Sequence, residues 1–129
     1  MSRILVIDDE ELVRYSLKRV LEGAGFDVAE AGDGDQGLKA VEAQSFDLVI
    51  TDIIMPNKEG IETVIDLKRL RPDLKVVAMS GGGRTRNLDY LNVAREFGAD
   101  EVLAKPFSED ELLAVVRGCL IRTAMVSTG

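Results

Sequence analysis

The sequence predicts an α/β fold in which a five-stranded parallel sheet carries helices on both faces. Three observations carry this. Short apolar runs alternate strictly with helical patterns along the chain, which is the mark of successive β-α units. The 129 residues, 46% hydrophobic and 30% charged, fit one domain, and a chain of this size buries roughly two-thirds of its unfolded surface. Acidic, hydroxyl and lysine side chains fall just beyond the apolar runs, at Asp8-Asp9, Asp52, Ser80 and Lys105.

The elements follow in order. Residues 3–7 read as a buried strand, and Asp9-Glu10-Glu11 then places negative charge in the first turn of a helix, where the dipole favours it. Val13, Leu17, Val20 and Leu21 give that helix one apolar face, and Gly23 and Gly25 end it. A second strand spans 27–31 and a second helix 34–44, with Leu38 and Val41 inward. The third strand spans 47–51, and the third helix, 59–70, is closed by Arg71-Pro72. The fourth strand spans 74–79. Ser80-Gly81-Gly82-Gly83 follows, then a helix over 87–97 stopped by Gly98. A short fifth strand spans 101–104. Ser108 with Glu111 three residues on is a capping box for the last helix, whose apolar side is Leu112, Leu113, Val116 and Leu120.

Right-handed crossovers leave few ways to arrange five such units, and the flavodoxin-like strand order 2-1-3-4-5 is the common one at this size. No linker, repeat or low-complexity segment divides the chain, so a single domain is expected over 1–122, followed by a short tail at 123–129 that should fray. No 18-residue apolar stretch and no signal-peptide pattern are seen, and the single cysteine, Cys119, excludes an internal disulfide framework. Cys119 reads as a small apolar filler of the last helix, and the chain as cytoplasmic without membrane insertion. A net charge of −7 argues against direct nucleic-acid binding, which needs a basic face.

In a sheet of this order, ligands sit beyond the carboxyl ends of the strands at the switch between the first and third. Asp8, Asp9 and Asp52 fall there, and crowded carboxylates repel unless a divalent cation with a preference for hard oxygen ligands joins them. Ser80 and Lys105 reach the same rim. The set suits phosphoryl transfer: a carboxylate nucleophile, two carboxylates for Mg²⁺, and a hydroxyl and an ammonium for phosphoryl oxygens. Each residue alone has a plainer reading. Asp9 can be a helix-terminal charge, Lys105 a loop lysine, Ser80 a turn residue and Gly81-Gly82-Gly83 a turn with no Walker lysine after it. Those readings do not account for the joint placement.

The sequence resembles the receiver domain of two-component response regulators over about residues 2–122. The resemblance rests on Ile7-Asp8-Asp9-Glu10, Thr51-Asp52-Ile53-Ile54-Met55-Pro56, Gly60, Met79-Ser80 and Lys105-Pro106-Phe107. It implies Asp52 as phosphoacceptor and Mg²⁺ held by Asp9, Asp52 and the backbone carbonyl of Ile54, with Asp8 acting mainly through a metal-bound water. Ser80 and Lys105 would meet the phosphoryl group, and the Lys105–Pro106 peptide would be cis. The donor would be a sensor histidine kinase or a histidine phosphotransfer protein. The only chemistry catalysed would be the domain's own phosphorylation and dephosphorylation. With no output domain after the fifth helix, the chain reads as a stand-alone switch that controls a protein partner. The family contact surface is the fourth helix, fifth strand and fifth helix, which could also make a homodimer.

Two departures concern how the switch is read out. The position three before Lys105, often Tyr or Phe in the family, is Val102, which has neither an aromatic swing nor a hydroxyl. Three glycines also extend the loop after Ser80, which either carries the conformational response together with the start of the fourth helix or is a harmless insertion. Ile54 and Gly82, two beyond Asp52 and Ser80, offer no side-chain group to position a hydrolytic water. Two rival readings remain at this level. One is a Mg²⁺-dependent phosphatase or phosphotransferase with an Asp nucleophile, which lacks its second acid because Ile54 stands there. The other is a degenerate receiver that only binds partners.

Overall fold

The computed structural model describes residues 2–53, 60–80 and 87–128, and side chains within 2–53, 60–80 and 92–121. Its elements are β1 (Arg3–Ile7), α1 (Glu11–Gly23), β2 (Asp27–Ala31), α2 (Gly34–Ala43), β3 (Leu48–Asp52), α3 (Gly60–Leu70), β4 (Lys75–Ser80), α4 (Asn87–Glu96), β5 (Glu101–Ala104) and α5 (Glu109–Thr128). The strands pair in parallel in the order β2-β1-β3-β4-β5, as the sequence predicts for a flavodoxin-like three-layer sandwich.

Helices on both faces explain why the central strands are apolar without alternation. Ile4, Leu5, Val6 and Ile7 of β1 are all fully buried. The two-residue period of a strand sends them to opposite sides. Leu5, Ile7, Val49, Val76 and Ala78 meet Val41 of α2, Val64 and Leu67 of α3 and Ala94 of α4. Ile4, Val6, Leu48, Ile50, Val77, Met79 and Leu103 meet Leu17 and Leu21 of α1 and Leu112, Val116 and Cys119 of α5. Cys119 is thus a buried member of the α1–α5 side.

Local signals set the helix ends. Asp33 caps α2 by accepting the Gln36 N–H at 2.8 Å. The capping box of α5 closes in both directions, Glu111 N–H to Ser108 Oγ at 3.1 Å and Ser108 N–H to Glu111 Oε1 at 3.3 Å. Gly25 and Gly98 take φ of +97° and +121° just beyond α1 and α4, a left-handed conformation that costs other residues more. α1 differs from expectation: only Glu11 lies in its first turn, while Asp9 and Glu10 precede it. The Glu10 N–H is met instead by Asp8 Oδ1 at 2.9 Å. α5 continues as helix to Thr128, through the segment expected as a tail.

Two strands also end later than predicted. β3 includes Asp52, in register with Met79, and β4 includes Ser80, in register with Ala104. The backbone ladder does not depend on which side chain ends it, so both polar residues are the last rungs of the sheet and not the first residues of loops.

Candidate functional site

Four strand ends build the site at one edge of the sheet. Asp8 follows β1, and its N–H extends the ladder to the Ala31 carbonyl at 3.2 Å. Asp52 ends β3 and Ser80 ends β4. Lys105 follows β5, and its N–H donates to the Ser80 carbonyl at 2.8 Å. Immediately after Asp52, the Ile53 N–H donates to the Met79 carbonyl at 2.9 Å, and the Ile53 carbonyl accepts the Gly60 N–H at 3.2 Å. A Cβ on Gly60 would overlap the Ile53 backbone, so glycine is what lets α3 start this close to the strand end.

The side chains converge as the sequence predicts. The Lys105 ammonium lies 3.0 Å from Asp8 Oδ2 and 3.2 Å from Asp52 Oδ2. Asp8 is fully buried and Asp52 is 4% exposed. One carboxylate oxygen from each of Asp8, Asp9 and Asp52 lies within 4.8 Å of the others, with Asp9 at the exposed side. The Ser80 hydroxyl is buried and has no hydrogen-bond partner among the described residues. Leaving such a group unpaired costs about 1–3 kcal/mol.

Burial by itself lowers the pKa of Lys105 and is the largest single influence. The charges of Asp52 and Asp8, with their hydrogen bonds, together outweigh it and raise the pKa above the ordinary lysine value. The ammonium is therefore held firmly in its charged form. Among the described residues, three carboxylates gather around one ammonium at this edge, a surplus of acid over base. That surplus, made of hard oxygen donors, fits one divalent cation.

The Lys105–Pro106 peptide is cis, as the resemblance implies. Val102 pairs with Ala78 and is half-buried against the α2–α4 side, while Phe107 packs on the α1–α5 side. Ile54, Met55-Pro56 and the glycine run Gly81-Gly82-Gly83 lie outside the described residues, as does the side chain of Tyr90. One neighbour of the site escapes sequence reasoning: Arg14 of α1 donates from Nη1 to the Asp8 carbonyl at 2.6 Å.

A family model described as the response regulator receiver domain matches residues 4–117. The chain belongs to this family. It is 39% identical over 123 residues to the transcriptional regulatory protein CpxR of Escherichia coli (strain K12), covering 95% of this chain and 51% of that protein. It is 40% identical over 121 residues to the DNA-binding response regulator MtrA of Mycolicibacterium paratuberculosis, covering 94% of this chain and 52% of that protein. The receiver domain thus spans about half the length of the curated relatives it matches. Among solved structures it superposes on a CheY-like receiver domain protein from Methanospirillum hungatei JF-1 with a TM-score of 0.88 at 30% identity, covering 97% and 98% of the two chains. NtrX from Brucella abortus gives a TM-score of 0.92 at 30% identity over 99% of this chain and 29% of that one. Neither the aspartate-phosphatase reading nor the degenerate-receiver reading is favoured beside this membership and the intact acidic pocket.

Among the described residues, no helix is long and apolar enough to cross a membrane.

Proposed function

We propose that this receiver domain takes a phosphoryl group on Asp52 from a phosphohistidine of a sensor kinase or phosphotransfer protein. The observation that carries the reading is the buried Asp52 carboxylate, held by Lys105 and crowded by Asp8 and Asp9. A carboxylate oxygen of Asp52 attacks phosphorus. The O–P bond forms as the donor P–N bond breaks, and the electron pair leaves with the imidazole nitrogen. Lys105 stays charged throughout and, being already on Asp52, meets the incoming phosphoryl oxygens without travelling far. The Ser80 hydroxyl, lacking a partner among the described residues, gains one when it donates to a phosphoryl oxygen.

Asp9 and Asp52, with the Ile54 carbonyl, would hold Mg²⁺, which when bound neutralises phosphoryl charge. The oxygens of Asp8 already accept from Glu10 N–H and Lys105, which supports an indirect role for it through water. The chain then acts as a cytoplasmic switch that catalyses only its own phosphorylation and dephosphorylation. It works through a protein partner on the α4–β5–α5 face, the surface that would also serve a homodimer, and is too acidic to bind nucleic acid itself. Residues 1–122 form the working unit and 123–129 an appendage to it.

Incubation with acetyl phosphate and Mg²⁺ tests this. A labile modification that needs Mg²⁺ should form on the wild type and vanish in Asp52→Ala. Label retained in Asp52→Ala, or rapid turnover without a lasting adduct, would remove Asp52 from the role. Lys105→Ala should still accept the group but show a blunted structural response. Exchange broadening over residues 80–90, with and without beryllofluoride, reads whether the glycine loop carries that response.

A further inference from the structure

Asp8 is fixed at four points, and one of them belongs to no motif in the sequence. Its N–H donates to the Ala31 carbonyl at 3.2 Å. Its Oδ1 accepts from Glu10 N–H at 2.9 Å and its Oδ2 from Lys105 at 3.0 Å. The fourth point is its carbonyl, which accepts Arg14 Nη1 at 2.6 Å. Arg14 is held in turn from β2, where Glu30 Oε1 accepts its Nε at 3.2 Å. Its side chain is only 19% exposed, and Gly32 stands so close that a Cβ there would lie 3.7 Å from Nη1. Charge-assisted bonds at both ends make the planar fork a rigid strut between β2 and the end of β1.

Asp9 contrasts with this. It is exposed, and its carboxylate makes no hydrogen bond or ion pair among the described residues. Its direction is therefore set by the main chain. The Asp8 carbonyl and the Asp9 N–H share one planar peptide unit, so fixing the carbonyl fixes the plane from which the Asp9 side chain departs. We propose that Arg14 is a positioning residue of the acidic pocket, which holds the Asp8–Asp9 peptide so that the otherwise unsupported Asp9 carboxylate faces Asp8 and Asp52.

The proposal rests on the reading of this pocket as a divalent-cation site, and the two are separable. Arg14 brings positive charge to the edge of an acidic cluster. By Coulomb's law alone its removal tightens cation binding; by positioning, its removal weakens it. The sign of the change decides.

The experiment titrates the full chain with Mn²⁺, read by electron paramagnetic resonance, for the wild type, Arg14→Gln, Arg14→Lys and Arg19→Gln. Arg19, exposed farther along α1, controls for the loss of one positive charge. Loss of a residue that orients a ligand typically weakens metal binding 10–100-fold, and Arg14→Gln is expected to lose about tenfold, the low end of that range. Arg14→Lys keeps the charge without the fork and should fall between Arg14→Gln and the wild type. Arg19→Gln should bind as the wild type does. In the metal-free chain the Asp9 amide resonance should move in both Arg14 variants while those of Asp52 and Lys105 stay. Equal or tighter Mn²⁺ binding by the Arg14 variants, or an unmoved Asp9 amide, overturns the proposal and leaves the cation site standing. No Mn²⁺ binding by the wild type overturns both. Should Arg14→Gln fail to fold, Arg14→Lys carries the same decision.

Discussion

The two ends of the sheet each pair lysine with aspartate, and they do so to opposite effect. Where β4 and β5 begin, Asp100 Oδ2 accepts from Lys68 at 2.8 Å and from the Val76 N–H at 2.9 Å, with Lys75 at 4.0 Å from Oδ1. Lys68 also donates to the Leu74 carbonyl at 2.8 Å. One acid faces two ammoniums, and its bonds tie α3 to the starts of two strands. Where the strands end, among the described residues, three acids face one ammonium beside a buried hydroxyl with no partner. In the first cluster the lone acid is fully met. Among the described residues the second is short of positive charge and of a hydrogen-bond acceptor, which the proposed phosphoryl group and cation would supply. A lysine–aspartate distance near 3 Å is common to the two. The surplus of acid and the unpartnered hydroxyl, among the described residues, are what separate the site from the brace.

The largest expected effect breaks the brace. Asp100→Ala leaves the Lys68 ammonium with only the Leu74 carbonyl and the Val76 N–H without its acceptor, and should cost about 2 kcal/mol in urea unfolding, reduced from the fully buried case by its partial exposure. An unmoved midpoint would mean the cluster holds nothing together. Next, Mg²⁺ at ten times its dissociation constant should stabilise the wild type by about 1.4 kcal/mol. Asp100→Asn should keep this gain and Asp9→Asn should lose most of it; the reverse pattern would place the cation at the wrong end of the sheet. Without metal, Asp9→Asn should instead be more stable than the wild type by about 0.5 kcal/mol, since it relieves repulsion at an exposed position. A loss of stability there would deny the surplus of negative charge.

The smallest effect is alkaline. Because the pKa of Lys105 is raised in the folded chain, its pairing contributes stability that is fully present below the ordinary value of 10.5 and is lost as pH climbs through the raised value. Unfolding free energies of the wild type and Lys105→Met should therefore converge as pH climbs through the alkaline limb. A gap that persists unchanged through the alkaline limb would deny that the contribution depends on the ammonium's charge.

Much of this was legible in the sequence where the determinant is local. The Ser108–Glu111 capping box, the Asp27–Ala31 strand and the glycines past α1 and α4 depend on neighbours within a few residues. The convergence of Asp8, Asp9, Asp52, Ser80 and Lys105 was legible because a parallel sheet delivers all its strand ends to one edge. Asp52 and Ser80 were placed one step too late, since apolar character stops before the backbone ladder does. The Arg14–Glu30 strut and the Asp100 cluster were not legible. Each joins residues whose approach depends on strand order and helix rotation, and nothing in the spacing of Lys68 and Asp100 announces a contact.

The bond from the Lys105 N–H to the Ser80 carbonyl has a mechanical consequence. The two residues proposed to address the phosphoryl oxygens, at the ends of β4 and β5, are rungs of one ladder, and a displacement of one is delivered to the backbone of the other. Lys105 in turn opens the short connection that leads through Phe107 and Ser108 into α5. A tug on the Ser80 main chain is thus felt at the root of a helix some way off, with no aromatic side chain needed as a relay. In a receiver domain with valine at position 102, the sheet edge itself can serve as the drive shaft.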